Sequence, residues 1–202
     1  MEMSPIIATM LSFGLVGLVC LAIAEKFVPI FPSYVLLMFV GMTAKSGLNL
    51  AAIVAATAFG STLGSLLWYG FGWTLGSHRV EDLVTRYGRF ILLPPSLYQR
   101  LVGSYRRNQF WTTLVGHTIP AVRVYLGLPA GVFKLELRGF ALATLIGSLL
   151  WNTPFLCLGF LLYGSGRDPI TLGLAVAVGL IAAEFAIVWI LRRAKRSNAR
   201  RF

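Results

Sequence analysis

Acidic residues are scarce in this chain. Asp and Glu together number 7 in 202 residues, and all charged residues make up only 12%. Soluble domains carry about 25%, so this composition excludes an ordinary soluble fold. Cysteine is equally sparse. Cys20 and Cys157 both lie inside apolar runs, where a free thiol behaves as a small hydrophobe, and two such residues exclude a disulfide framework. There are two histidines, and no His, Cys, Asp or Glu spacing suits a metal, so no metal and no cofactor is expected. GxSxG, HExxH and P-loop patterns are missing, and with them any nucleophile paired to a base, so an enzyme is not expected. The opening MEMSP lacks the positive n-region of a secretory signal. AIA at 22–24 resembles a cleavage site, but the run before it is as long as a spanning helix and its N-terminal flank is acidic.

What the sequence does have is apolar length. The hydrophobic share is 57% and the mean hydropathy is +0.77, the signature of an all-α integral membrane protein. A bilayer core about 30 Å thick needs about 20 apolar residues to cross it. Four runs meet that length, at 6–24, 48–75, 139–163 and 169–191. Two others are broken by proline. The run 27–42 carries Pro29 and Pro32, and the run 111–133 carries Pro120 and Pro129 together with His117 and Arg123.

Charge placement assigns these broken runs. The formal net charge is +11, and basic residues of membrane proteins gather on the cytoplasmic side, against anionic lipid heads. Arginines cluster in 76–110 and again in the tail 192–202. Both clusters fall inside only if neither broken run spans. Of the 18 Lys and Arg, 14 then lie inside, Lys26, Lys45 and Arg167 lie outside, and Arg123 lies within the membrane. This reading makes 27–42 an outer re-entrant hairpin and 111–133 an inner one, with both termini cytoplasmic. Broken backbone at membrane depth is tolerated where it lines a cavity. In 76–110, arginines alternate with Val80, Leu83, Val84, Leu97 and Leu101 around the break at LLPP 92–95. Two amphipathic surface helices fit, as does a solvated linker. Nucleic acid is not expected, because no basic patch belongs to a soluble fold.

GSLLW occurs twice, at 64–68 and 147–151. Each copy follows a proline-broken run that ends near a glycine, Gly41 or Gly131, and the two units start from opposite sides. That arrangement is an inverted repeat, which places a substrate site near the midplane between facing broken helices. Gly60, Ser61, Gly64, Gly147 and Ser148 allow close helix approach.

Ionisable residues at membrane depth default to functional candidates. Arg123 keeps its proton, so it needs a carboxylate, backbone carbonyls or an anion, and its planar fork suits phosphate. Glu25 is either an interfacial cap beside Lys26 or a group facing the cavity that titrates and pairs with Arg123. His117 is a packing residue, or a second positive group that titrates near neutral pH. Asn152 is helix–helix glue or part of the site. Glu184 pairs across helices or serves as a further protonation site.

Taken in order, several pieces resemble the DedA family, also called the SNARE-associated or VTT-domain family: Glu25 followed by PIFPS, GSTLGSLLWYGFGWTLG, RYGRF, GHTIPAVRVYLGLPAG, and the later GSLLWN with LGFLLYG. The resemblance covers about 20 to 165. It implies two facing re-entrant hairpins in a bacterial inner membrane and translocation of a lipid such as undecaprenyl phosphate or a phospholipid, often with proton dependence. It also implies a flippase or scramblase, with Glu25 at the position of the family's acidic residue before the first hairpin and Arg123 at that of its second essential arginine. The candidates to meet the substrate are then Arg123, Glu25, His117, Ser33, Tyr34 and Asn152. Pro29, Pro32, Pro120, Pro129 and Gly131 are the hairpin-shaping residues, and Glu25, His117 and Glu184 the candidates for any proton coupling. Two residues depart from the family pattern. His117 stands where its motif has arginine, and Tyr34 stands where an acidic residue is expected after Pro-Ser, so the site is less charged. Two other classes stay open on the residues alone: a proton-coupled carrier of a small soluble anion, and a membrane scaffold recruiting partners through basic surface helices. An oligomer is compatible with all three.

Overall fold

A computed structural model describes residues 13–27, 33–87 and 95–163, with a few isolated positions beyond. Pro29, Pro32, Glu184, most of the run 169–191 and the tail lie outside the described residues. Within them the chain is helical, without a strand. Eight helices follow in order: α1 Gly14–Phe27, α2 Ser33–Met42, α3 Gly47–Tyr87, α4 Pro95–Arg107, α5 Gln109–His117, α6 Pro120–Arg123, α7 Gly127–Val132 and α8 Leu137–Tyr163.

Two of these helices are long and apolar enough to cross a membrane: the Gly47–Ser77 part of α3, with 31 residues, and Leu137–Leu162 of α8, with 26. At 1.5 Å per residue each exceeds the roughly 30 Å hydrocarbon core. Helix α3 bends at Gly76, whose φ of 74° suits glycine alone, and its basic end continues to Tyr87. The ten residues of α2 reach only about 15 Å.

The inner broken run is three short helices, for readable reasons. Ile119 is extended, as a residue before proline must be, and Pro120 starts α6, where its missing N–H costs nothing. Pro129 sits in the first turn of α7, where an N–H has no intrahelical partner either. The segment ends on a Schellman motif. Lys134 takes φ 51° and donates its N–H to the Gly131 carbonyl, while Leu135 N–H reaches the Ala130 carbonyl. Two tyrosines tie carbonyls of this region to neighbouring helices. Tyr69 donates its hydroxyl to Leu135 O at 2.7 Å, and Tyr105 of α4 donates to Leu126 O at 3.1 Å. Burial pushes the Tyr105 phenol up, so it remains an O–H donor.

The long helices exchange partners. Helix α1 packs on α3 and α5 on α8, while α2 packs on α8 and α7 on α3; α3 and α8 also touch each other. Glycines make these contacts backbone-close. A Cβ at Gly41 of α2 would strike the Leu156 carbonyl of α8, and one at Gly131 of α7 would strike the Tyr69 carbonyl of α3. Between the helices lie three apolar clusters. One holds Leu18, Leu37, Val40, Ile53 and Leu156, and a second holds Tyr69, Leu101, Tyr105, Leu126 and Phe140. The third joins Val80 to Val124, Tyr125, Leu128 and Val132.

Gly41→Ala and Gly131→Ala should each destabilise the protein by about 1–3 kcal/mol, the usual cost of overpacking. Gly70 of α3 is exposed with nothing within 4 Å of an added Cβ, so Gly70→Ala should be neutral or stabilise by about 0.5–1 kcal/mol. Thermal unfolding in detergent, followed by tryptophan fluorescence, compares the three. Equal midpoints would rule out the close helix approach.

Candidate functional site

The helix partner exchange gathers the scattered polar residues at one place. Arg123 closes α6, and Glu25 lies near the end of α1, 98 residues earlier; Arg123 Nη2 donates to Glu25 Oε1 in a salt bridge. Both side chains are buried, at 3% and 6% exposure. The guanidinium also lies over the Trp151 ring, 4.9 Å from its centroid, a cation–π contact that gains strength away from water. Arg123 is thus matched in charge on one side and capped by an aromatic face on the other.

Lys26 follows Glu25 and is wholly buried, with a relative exposure of 0%. Counted by charge placement on the outer side, it is enclosed by the protein rather than open to solvent. Its stem lies against Gly64, where a Cβ would come within 2.8 Å of Lys26 Cγ. Its carbonyl accepts from Trp68 Nε1 at 2.9 Å. Its ammonium lies within electrostatic reach of Glu25, Arg123 and His117, yet hydrogen-bonds to no described residue.

His117 ends α5 and is also fully buried. Its ring nitrogen Nδ1 lies 2.9 Å from the Thr113 carbonyl, which only accepts, so Nδ1 carries the proton. Nε2 makes no hydrogen bond to a described residue. The imidazole rests on Gly147 of α8, where a Cβ would meet His117 Cγ at 2.8 Å. The glycines of the two GSLLW copies therefore do the same work: Gly64 makes room for Lys26 and Gly147 makes room for His117.

The repeat is longer than those five letters. Ser61, Gly64, Ser65 and Trp68 on α3 match Thr144, Gly147, Ser148 and Trp151 on α8. The spacing i, i+3, i+4, i+7 puts each set on one helix face. Ser61, Ser65, Thr144 and Ser148 are all buried, and Asn152 adjoins Trp151 with 0% exposure. Ser65 bonds back to the Ser61 carbonyl. Ser61 Oγ, Thr144 Oγ1, Ser148 Oγ, Trp151 Nε1 and both amide atoms of Asn152 bond to no described residue. Buried polar groups are normally satisfied, so this stripe is built to meet something polar.

Other predicted residues lie at the margin. The Tyr34 ring packs 5.9 Å from Phe155, which itself lies 5.2 Å from Trp151, so Tyr34 adjoins the cluster through aromatics. Ser33 starts α2 and is half-buried. Pro120, Pro129 and Gly131 shape the inner segment as described. Among the described residues no three of His, Cys, Asp and Glu come together as metal ligands. The cluster combines two cations, one carboxylate and a set of neutral donors, an arrangement suited to holding an anion away from water.

Comparison with known proteins agrees with the motifs. The VTT domain matches residues 31–161. An "Alkaline phosphatase-like protein" of Lactococcus lactis subsp. lactis (strain IL1403) is 35% identical over 76% of this chain and 73% of its own length. Its namesake from L. lactis subsp. cremoris (strain MG1363) is 32% identical over 92% and 87%. "Undecaprenyl phosphate transporter A" of Staphylococcus aureus (strain NCTC 8325 / PS 47) is 28% identical over 73% of each chain. No solved structure matches. With the domain matched along most of its length, and with relatives above 30% identity aligned over three quarters of it or more, the chain belongs to the VTT-domain family.

Proposed function

We propose that this protein carries a phosphate-bearing lipid, such as undecaprenyl phosphate or a phospholipid, between the leaflets of a bacterial inner membrane. The observation that carries the reading is the buried Arg123–Glu25 pair, set against polar stripes on the two membrane-length helices. A desolvated phosphate crossing hydrocarbon faces a prohibitive cost, and fixed positive charge with oriented donors at depth lowers it. The name of the S. aureus relative supports the substrate class.

In this reading α2 and the segment α5–α7 are re-entrant, entering and leaving on one side. Their shortness supports this, and the exchange of partners between the two halves supports an inverted repeat. Both termini are cytoplasmic, as the distribution of arginine requires. A shallow apolar groove between α3 and α8, lined by Leu50, Val54, Leu149 and Cys157, suits the lipid's chain. Proton coupling, in the same reading, runs through Glu25. The enclosure of the pair also suits a small soluble anion, which is the second reading.

The test is movement of labelled phosphorylated lipid between leaflets of proteoliposomes. Arg123→Ala takes the fixed positive charge away from a phosphate at depth, so it should slow transport about 100-fold, the equivalent of about 3 kcal/mol of barrier. Uptake of inorganic phosphate without lipid movement would replace the leading reading by the second, and release of inorganic phosphate from the lipid would replace it by the chemistry in the Lactococcus relatives' name. The double variant Glu25→Gln, Arg123→Met removes both charges. It should unfold at a higher temperature than Arg123→Ala and still fail to transport, which separates folding from function. An imposed proton gradient should change the native rate and leave a folded Glu25→Gln variant unaffected.

A further inference from the structure

Arg123 is already engaged by Glu25 and Trp151, so the cluster's remaining cation decides what an incoming anion meets. That cation is Lys26. It is wholly buried, its stem is held by Gly64, and its ammonium makes no hydrogen bond to a described residue. A buried ammonium is costly unless an anion or several acceptors lie at its three donors. Among the described residues, Glu25 is the one carboxylate within electrostatic reach of Lys26, and it is bonded to Arg123.

We propose that Lys26 is a phosphate-binding residue whose ammonium contacts the anionic oxygens of the phosphate group directly, with hydroxyl and amide donors of Ser61, Ser148 and Asn152 completing the shell. This assignment rests on the transport reading above and goes beyond it in naming the group that senses charge. Arg123, tied to Glu25 and Trp151, is the fixed part of the site. Lys26, whose ammonium makes no hydrogen bond to a described residue, is the part left to meet the ligand. Its position one residue after Glu25 turns the ammonium and the carboxylate in different directions around α1, about 100° apart. That is why the two neighbours do not satisfy each other.

The experiment compares native protein, Lys26→Met and Lys26→Arg in proteoliposomes holding labelled polyprenyl phosphate or the uncharged polyprenol. Methionine keeps the stem volume and removes the charge, and thermal unfolding in detergent confirms that each variant folds. Lys26→Met should raise the half-saturating concentration of the phosphate lipid about tenfold and erase the preference over the uncharged prenol. Lys26→Arg should recover most of that preference, which a merely structural lysine would not require. Native transport with an unchanged half-saturating concentration and preference in Lys26→Met would overturn the assignment and leave the transport reading standing. Native protein that moves no lipid would sink the transport reading. Calorimetric titration with inorganic phosphate then decides the Lys26 assignment separately: binding by native protein but not by Lys26→Met supports it with free phosphate as the source, and equal binding or none by both overturns it.

Discussion

The structure depends on the burial of one charge that cannot be discharged. A guanidinium stays protonated in a protein, so once Arg123 sits at 3% exposure its surroundings must supply a counter-charge. Glu25 supplies it from α1, and the Trp151 face of α8 covers the remaining side. Three distant parts of the sequence are thereby tied to one point. The broken geometry of the inner segment follows from the same need. A continuous helix would carry Arg123 past the cluster on a regular spiral, whereas the breaks around Pro120 and Pro129 let α6 end at it. Tyr69 and Tyr105 then fasten the segment by donating to the Leu135 and Leu126 carbonyls.

Bringing these parts so close requires a driving force other than hydrophobic burial, because lipid tails are as apolar as leucine. Backbone proximity provides it. Gly41 and Gly159 bring α2 and α8 together, while Gly72 and Gly131 do so for α7 and α3. Each contact gains dispersion along the helix surface at little entropic expense, since glycine has no side chain to order. The same device serves the site. Gly64 and Gly147 are slots for Lys26 and His117, so the glycines that close the fold also set the depth of the cationic groups.

Much of this was legible in the sequence, and what was not has definite causes. Glu25 and Arg123 stood out because charge in an apolar run is rare, and their pairing follows once the helices are placed. The helical, membrane-length character of 48–75 and 139–163 was visible from length alone. Lys26 escaped because a charge at the end of an apolar run reads as an interfacial flank. Hydropathy in one dimension cannot distinguish a lysine facing water from one facing another helix. A signal was present nonetheless. Ser61, Gly64, Ser65 and Trp68 recur at the spacing of Thr144, Gly147, Ser148 and Trp151, and a small polar face repeated on two membrane helices implies a polar partner. The bend at Gly76 had no signal beyond glycine itself.

The two GSLLW copies are alike in their glycine slots and unlike in what those slots hold. Equivalent slots at Gly64 and Gly147 hold Lys26 and His117. Two ammonium or guanidinium groups there, beside Arg123, would place three fixed cations around a single carboxylate. At separations of a few ångströms and low effective dielectric, like charges repel by several kcal/mol. Imidazole relieves this, because it fills the same slot and bonds to Thr113 O without an obligatory charge. The repeated glycines thus supply two matching slots, and the sequence fills them with two different nitrogen groups, the Lys26 amine and the His117 imidazole.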